Sequence, residues 1–324
     1  MKSLKKYISP ILTVFVLTLF AIYLFKNPEI IDRLVDTNPI YILLIMLLYL
    51  SIFFLEGLFI IVTLRIFSKD MNRSEGMYVA TLSRIGNYLL PMRAGAVFRA
   101  TYLKKKFNFD YSNFLATLYG YYIVFFLTNA ILAFIVLVLK SFIFEQTYIS
   151  LILFFLAVIV GMVVLIFLRF PFKKIFKQKS GIIFKVISFL DKFLGGWDLI
   201  VRNRKLFIQL MLLAFANVFV NILVIYLQFI SIEKVGNILD IILYTCISGV
   251  SLLISITPGS LGLREAILLI TSKSLGLSEI EVMQLAFLDR GIMFVLLLIC
   301  LIVISIFFKR FNLKEVFFEK RENL

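Results

Sequence analysis

Histidine is absent from the 324-residue sequence, which also has only two Cys and one Trp. The missing imidazole excludes Ser–His–Asp and Cys–His catalysis, HExxH zinc sites and haem ligation by histidine. Cys246 and Cys300 both lie within apolar runs and form no CxxC pair, so the sequence predicts no disulfide framework. We therefore expect neither a bound metal nor any other cofactor.

Charged residues are also scarce, at 16% of the chain, whereas 62% of the residues are hydrophobic. The mean hydropathy is +1.03. Soluble domains contain only about 45–50% apolar residues, so this excess indicates an all-α polytopic membrane protein. We expect a single integral membrane domain over residues 1–324 and no sizeable soluble domain.

Several apolar runs approach the roughly 20 residues that a bilayer crossing requires. They cover residues 7–25, 40–64, 112–139, 148–168, 206–230 and 283–308, with a shorter run at 241–256. The first run lacks a small-residue cleavage site after it, so we interpret it as a retained span. We expect about six to eight transmembrane helices in all.

The basic balance of the chain, a net charge of +15, is distributed unevenly between the apolar runs. Residues 65–111 and 169–205 are rich in Lys and Arg, whereas 26–39 and 231–240 carry slightly more acid than base. Because positive loops face the cytoplasm, we predict cytoplasmic N- and C-termini in the cytoplasmic membrane. The charge is then a topology signal, and no nucleic-acid partner is expected.

A charged, helix-breaking stretch, TPGSLGLRE, follows the short apolar run. It contains Pro258, Gly259 and Gly262 as predicted structural breaks, followed by Arg264 and Glu265. Irregular backbone and charge at membrane depth persist only where protein or a water-filled cavity surrounds them. We therefore predict that Arg264 and Glu265 bind substrate, with free N–H groups at the next helix start assisting. Alternatively, the pair is exposed at a hairpin tip or only holds the break together.

The number of crossings places a constraint on this stretch. Seven simple crossings from a cytoplasmic N-terminus would leave the basic C-terminal tail outside, against the charge rule. An even number is restored if residues 241–277 form a re-entrant hairpin from the outer side, or two full crossings joined at the Pro-Gly turn. The sequence leaves both alternatives open.

A counterpart of this break lies in the first half of the chain, within residues 76–103. Pro91 and Gly95 stand four residues apart, as Pro258 and Gly262 do. Paired interrupted segments are a sequence pointer to an inverted-repeat transporter core. We therefore predict two Pro/Gly-broken re-entrant elements in inverted pseudo-repeat halves.

The predicted halves, residues 1–168 and 206–324, are joined by a basic linker at 169–205. Apolar residues recur there at helical spacing from Ile182 to Trp197, with lysines between them. This pattern favours a helix lying in the cytoplasmic membrane interface, with its apolar face in lipid. The alternative is a helix packed on a neighbouring loop.

Arginines accompany both predicted breaks. Arg93 and Arg99 lie beside the first break and could receive a lipid phosphate, because Arg forms bidentate bonds with phosphate oxygens. Positive-inside topology alone is the alternative for both. Arg290, early in the last run, is predicted as a further phosphate contact or as a salt-bridge partner of Glu265 or Asp289.

Other polar side chains lie within the apolar runs. Glu56 is interpreted as a counter-ion to an Arg of the first broken element; a coupling role for a proton or cation is the alternative. Asn217 and Asn221 stand four residues apart on one helix face, where interhelical hydrogen bonding is the usual role and lining a polar path is the alternative. The same two interpretations apply to Asn129 and Tyr122.

The sequence resembles the lysylphosphatidylglycerol synthase transmembrane-region family, the flippase portion of the multiple peptide resistance factor. The resemblance is carried by Asn87-x3-Pro91-x3-Gly95-x3-Arg99, by Pro258-Gly259-x2-Gly262-x-Arg264-Glu265, and by Arg290. It implies a multi-pass bundle that moves a phospholipid or a polyprenyl-type lipid-linked molecule between leaflets. Ala96 stands where the family commonly has an acidic residue, which puts a charge-coupled role of the first break in doubt. Because no soluble transferase domain is expected, neither is the synthase activity.

A lipid flippase-like transporter, not an enzyme, is therefore the leading hypothesis. Its lipid head group would lie between Arg93 and Arg99 on one side and Arg264 and Arg290 on the other. One alternative is an integral-membrane transferase acting on a lipid-linked substrate; another is a non-transporting partner in envelope assembly. The sequence does not determine the oligomeric state.

Overall fold

The protein is described by a computed structural model that covers residues 22–28, 30–31, 36–90, 93–145, 148–167, 182–234, 236–254 and 257–307, with Thr18 and Leu34. Over these residues the chain is helical and contains no strand, which confirms the predicted all-α polytopic membrane protein. Pro91, both chain ends and most of the first predicted span lie outside the described residues. For residues 182–191 only the backbone is described.

Five long helices account for the predicted spans within the described residues. The helices in chain order are α1 (Pro39–Ile66), α2 (Arg73–Leu89), α3 (Ala94–Phe107), α4 (Tyr111–Ile143), α5 (Ile149–Phe167), α6 (Ile182–Arg202), α7 (Arg204–Ser231), α8 (Ile238–Ser251), α9 (Leu263–Ile270) and α10 (Glu279–Phe307). Of these, α1, α4, α5, α7 and α10 are long and apolar enough to cross a membrane. They confirm five of the predicted runs, each within a few residues of its predicted ends.

The first break separates α2 from α3. Helix α2 ends at Leu89, ahead of the proline, because a residue that precedes proline avoids the helical conformation. Arg93 then adopts a left-handed backbone conformation with φ of 53°, which turns the chain into α3. The Asn87 side-chain carbonyl accepts a hydrogen bond from the Ala96 N–H at 3.1 Å and so helps to cap α3. The break is therefore a tight reversal between two short helices.

Helices α2 and α3 cross with their backbones in contact. A Cβ atom on Gly95 would lie 1.8 Å from the Ser83 carbonyl oxygen, and one on Gly86 would lie 2.8 Å from the Gly95 Cα. Gly95, predicted as part of the break, is the second residue of α3 and follows the left-handed Arg93 by two residues. The residue is needed because no side chain fits between the two helices at this point.

The open end of this helical hairpin is fixed by a buried carboxylate. Glu75 on α2 accepts a hydrogen bond from the Tyr102 hydroxyl and an ion-pair contact from Lys106, both at 2.7 Å and both from α3. The connections from the hairpin to its neighbouring helices are short. Helix α1 ends at Ile66, shortly before α2 begins, and α4 begins at Tyr111, shortly after α3 ends. Both ends of the hairpin therefore lie at the same end of the bundle.

The second break joins α8 to α9 through two short 3-10 turns, Leu252–Ile254 and Pro258–Ser260. Gly259 and Gly262 have φ values of 56° and 84°, which side-chain-bearing residues rarely adopt. Pro258, Gly259 and Gly262, the residues predicted as structural breaks, thus all lie in the irregular segment between α8 and α9. With 14 and 8 residues, α8 and α9 are about 21 and 12 Å long.

The far end of the second broken element is tied to α4 by a buried lysine. Lys140 near the end of α4 forms an ion pair with Asp240 in the first turn of α8. Its ammonium group also donates to the Ser274 carbonyl oxygen at 2.6 Å, in the turn after α9. One side chain therefore joins α4 to both arms of this element.

The linker helix α6 packs on protein over its described side chains. Trp197 and Ile200 are 2% and 1% exposed, and the Trp197 ring lies against Gly120 of α4. The indole N–H donates to the Ile166 carbonyl oxygen at 3.4 Å. On the predicted apolar face, Trp197 therefore packs on α4 and α5, while the interfacial position of the helix stays a prediction.

Substitution of Gly95 tests the close crossing of the first hairpin. Gly95→Ala places a methyl group against the Ser83 carbonyl, so we expect a loss of about 1–3 kcal/mol in the free energy of unfolding. Gly161→Ala is the matched control, since a Cβ there meets nothing within 4 Å. Thermal unfolding of the detergent-purified variants measures both. Equal melting temperatures for the two variants would contradict the packing role of Gly95.

Candidate functional site

A cavity of about 260 Å³ lies between the two breaks. The first break contributes Arg93 and Arg99 to its wall, and the second contributes Gly259, Ser260 and Arg264. The rest of the wall comes from the short helices α2 and α8 and from the long helices α1, α4, α7 and α10. The structure thus brings the predicted arginines of both halves to one partly open cavity, whereas Glu265 does not line it.

Direct hydrogen bonds join the two breaks. Arg93 donates from Nη2 to the Leu252 carbonyl oxygen at 2.8 Å, which ties the first break to the end of α8. Arg290 on α10 donates from Nη1 to the Gly259 carbonyl oxygen at 2.7 Å. The Tyr88 hydroxyl, at the end of α2, donates to the Arg290 carbonyl oxygen at 3.0 Å. The two breaks and α10 therefore meet at one point.

Two arginines and two carboxylates form a continuous series of ion pairs beside the cavity. Arg264 contacts Asp289 at 2.5 Å, and Arg290 contacts Glu265 at 2.7 Å. Arg264 also lies 3.5 Å from Glu265, which links the two pairs. Of the roles predicted for Arg290, the structure contains the salt bridge with Glu265. Each charge has an opposite partner, as burial in a low-dielectric interior requires.

Asp289 receives two further hydrogen bonds from different helices. The Tyr49 hydroxyl on α1 and the Gln228 amide on α7 both donate to its Oδ1 atom, the latter at 2.9 Å. Sequence reasoning missed Tyr49. A tyrosine hydroxyl within a long apolar run finds a polar partner when it is buried. This pattern could have identified Tyr49 from the sequence.

The start of α9 is capped by the chain itself. The Glu265 carboxylate accepts a hydrogen bond from the Gly262 N–H at 2.7 Å. An acidic side chain thus occupies the position at which the sequence analysis expected a bound anion. The head-group role of Arg264, Glu265 and Arg290 stays a prediction.

Glu56 on α1 forms an ion pair with Arg84 on α2. This confirms the expectation that Glu56 is the counter-ion of an arginine in the first broken element. The Arg84 guanidinium also lies 5.4 Å from the centre of the Phe53 ring. Arg84 therefore adds no net positive charge to the cavity.

Arg93 has hydrogen bonds but no carboxylate within 4 Å among the described residues. Its Nη1 donates to the Tyr122 hydroxyl at 2.5 Å, and its guanidinium carbon lies 4.9 Å from the centre of that ring. The tyrosine and the Leu252 carbonyl oxygen satisfy part of its donor set. Neither partner cancels its charge.

Arg99 is less well satisfied than Arg93. Its guanidinium lies 5.3 Å from the Phe114 ring centre, and its buried Nε has no hydrogen-bond partner. No salt bridge to Arg99 is formed within the described part of the chain. Three of the five arginines that line the cavity have carboxylate partners, so Arg93 and Arg99 leave an excess of two positive charges.

Amide side chains on α4 and α7 also line the cavity. Asn217, Asn221 and Asn129 all face the cavity. Asn221 donates from Nδ2 to the Asn217 carbonyl oxygen at 2.8 Å, and Asn129 donates to the Phe125 carbonyl oxygen at 2.8 Å. Both bonds stay within one helix. The geometry therefore favours the polar-path interpretation of these amides over interhelical bonding.

Comparison with known proteins gives one family match. A family model described as "Lysylphosphatidylglycerol synthase TM region" matches residues 8–300. That range includes both breaks and all five arginines of the cavity. No curated protein matches the chain significantly.

Removal of one carboxylate tests the ion-pair network. Glu265→Gln leaves Arg290 buried without a carboxylate partner, so we expect a loss of about 3–5 kcal/mol in the free energy of unfolding. Asp70→Asn is the control, because the Arg65–Asp70 pair is mostly exposed and should contribute little. Thermal unfolding in detergent measures both.

A second substitution separates the charge effect from a local packing effect. Glu265→Gln combined with Arg290→Gln removes both members of the pair, so it should recover part of the lost stability. A double variant that is less stable by the full sum of the two single losses would contradict direct charge pairing.

Proposed function

The chain belongs to the lysylphosphatidylglycerol synthase transmembrane-region family, and we propose that it is a lipid flippase-like transporter of the cytoplasmic membrane. The family is membrane-embedded and flippase-like in general. The cargo of this protein is a phospholipid or lipid-linked molecule with an anionic head group. The head group enters the cavity between the two breaks, while the acyl or prenyl chains stay in the lipid. The protein acts as a transporter and not as an enzyme.

The excess charge of Arg93 and Arg99 is the observation that carries this proposal. An unpaired charge at membrane depth costs about 2.5–3.5 kcal/mol on insertion scales. A phosphate between the two guanidinium groups compensates this cost, and Arg is the side chain that binds phosphate oxygens bidentately. The unpartnered Nε of Arg99 supplies a donor for that purpose.

The second arginine pair acts on the opposite wall of the cavity. Arg264 lines the cavity, and Asp289 balances its charge when no lipid is bound. Glu265 likewise balances the charge of Arg290 when no lipid is bound. An entering phosphate competes with these carboxylates for the guanidinium groups. Because the carboxylates can replace the phosphate again, the head group is bound reversibly.

Both broken elements are re-entrant on this proposal. Helices α8 and α9, about 21 and 12 Å long, each fall short of the hydrocarbon core of about 30 Å. They enter from the outer side, and α2 and α3 enter from the inner side. The order of long helix, broken pair and long helix occurs in α1–α4 and again in α7–α10. This order supports inverted halves with cytoplasmic chain ends.

Leaflet exchange of fluorescent lipids tests the proposal. The full chain is reconstituted into vesicles that contain fluorescent phosphatidylglycerol, and the outer-leaflet label is reduced with dithionite. Arg93→Gln and Arg99→Gln each remove a donor to a charged ligand, so we expect each to slow exchange about tenfold or more.

Arg204→Gln is the matched control, since Arg204 is exposed at the start of α7. It removes the same charge outside the cavity and should leave the rate unchanged. If Arg93→Gln and Arg99→Gln exchange the lipid as fast as Arg204→Gln, the cavity is not the transport site.

A further inference from the structure

The contact between α4 and α8 closes the cavity on one side. We propose that this contact is the outer gate of the cavity and that Lys140 is the latch that holds it shut. The inference rests on the proposed function, because a gate is needed only if a head group passes through the cavity. It goes beyond that function by naming the contact that must separate and the residue that controls the separation.

The two helices form a seam that begins at the cavity and ends at Lys140. At the cavity end, Gly249 of α8 packs against Asn129 of α4, and both residues line the cavity. At the far end, Lys140 of α4 forms its ion pair with Asp240 of α8. Asn129 and Lys140 are eleven residues apart, a rise of about 16 Å along α4. The seam therefore extends over about half of a hydrocarbon core of about 30 Å.

The side chains between these two ends belong to one buried, mostly apolar cluster. From α4 and α8 it contains Ala130, Ala133, Val136, Leu137, Ile241, Tyr244 and Ile247. The alanines on α4 are fully buried, as small residues are where two membrane helices approach closely. A charged head group cannot pass through such a seam while the helices remain packed. Passage to this side requires α4 and α8 to separate.

Lys140 holds the seam through more than a single salt bridge. Its ammonium group pairs with Asp240 and donates to the Ser274 carbonyl oxygen at 2.6 Å, so it contacts both arms of the second broken element. It also lies 5.4 Å from the centre of the Tyr148 ring. A buried ion pair stabilises little more than apolar residues would, but it is strongly destabilised when one partner leaves. Such a pair suits a contact that is either fully formed or fully broken.

The equivalent contact at the other end of the bundle is built differently. In the second half α10 takes the place of α4, and Ile304 near its end meets the first broken element. Ile304 packs against an apolar cluster that includes Tyr78 of α2 and Tyr102 of α3. In transporters with inverted repeats, one half rocks against the other so that the two sides open in turn. An ion pair at one end and an aliphatic contact at the other fit a conformation that is latched on the outer side.

Thiol labelling of a cavity residue tests the gate. Ser248 of α8 lines the cavity, so Ser248→Cys is introduced together with Cys246→Ala and Cys300→Ala. A membrane-impermeant methanethiosulfonate is applied to the outer face of oriented vesicles. Lys140→Gln removes the latch, so we expect labelling from the outer face to become about tenfold faster. Labelling from the inner face should not become faster.

Lys234→Gln is the matched control. Lys234 pairs with Glu281 at 2.9 Å at the same end of the bundle, but this pair joins the α7–α8 connection to α10 and does not involve α4. Its loss should leave the labelling rate unchanged. Asp240→Asn breaks the latch from the other side and should act in the same direction as Lys140→Gln. Equal outer labelling in the parent and both latch variants would overturn the gate. Faster labelling from both faces would show a general loss of packing and would overturn it as well.

A cross-link tests whether the seam must open for transport. Lys140→Cys and Asp240→Cys are combined in the chain without the two native cysteines and joined by a short bis-maleimide. We expect the cross-link to slow the exchange of fluorescent phosphatidylglycerol about tenfold or more. Each single-cysteine variant, treated with the same reagent, should keep its untreated rate.

The possible failures are distinguishable. Undiminished exchange in the cross-linked protein would overturn the gate and leave the proposed function intact. The absence of any protein-dependent exchange before cross-linking would overturn the proposed function. Faster outer labelling of Lys140→Gln would in that case still support a gate to the cavity.

Discussion

The paired charges at the second break are the interaction on which the centre of the protein depends. Arg264, Glu265, Asp289 and Arg290 lie where a lone charge would be costly, and each is matched by an opposite charge. Both salt bridges run between α9 and α10. The short helix is therefore fixed to a long one, and the irregular chain between α8 and α9 is held at the cavity wall without exposing charge to lipid.

The two broken elements differ in their balance of positive and negative groups, and this difference determines the net charge of the cavity wall. The second element and α10 supply equal numbers of positive and negative groups, whereas the first element supplies Arg93 and Arg99 without carboxylates. The second element and α10 thus leave the cavity wall neutral on their side, whereas the first element gives the wall its net positive charge. The two elements are also directly connected, because Arg93 of the first donates to the Leu252 carbonyl oxygen of the second.

Apolar run lengths were sufficient to predict the long helices, and Pro and Gly spacing was sufficient to predict both breaks. The partners within the breaks were not predictable, because Asp289 and Arg290 are neighbours on a helix, as are Arg264 and Glu265. Neighbours point about 100° apart, so either pairing fits the sequence. The packing role of Gly95 was not predictable, since a glycine needed for close packing resembles one that ends a helix. The contact of Trp197 with α4 was not predictable either, because lipid and protein select the same apolar periodicity.

The position of Trp197 has a spectroscopic consequence. It is the only tryptophan in the chain, and it lies buried against Gly120 where the linker helix α6 contacts α4. Its indole emission therefore reports on one joint, the contact between the linker and the first half of the bundle. Separation of α6 from α4 would bring water to the indole and shift its emission to longer wavelength. The unlabelled protein thus carries its own optical probe of whether the connector between its halves stays docked.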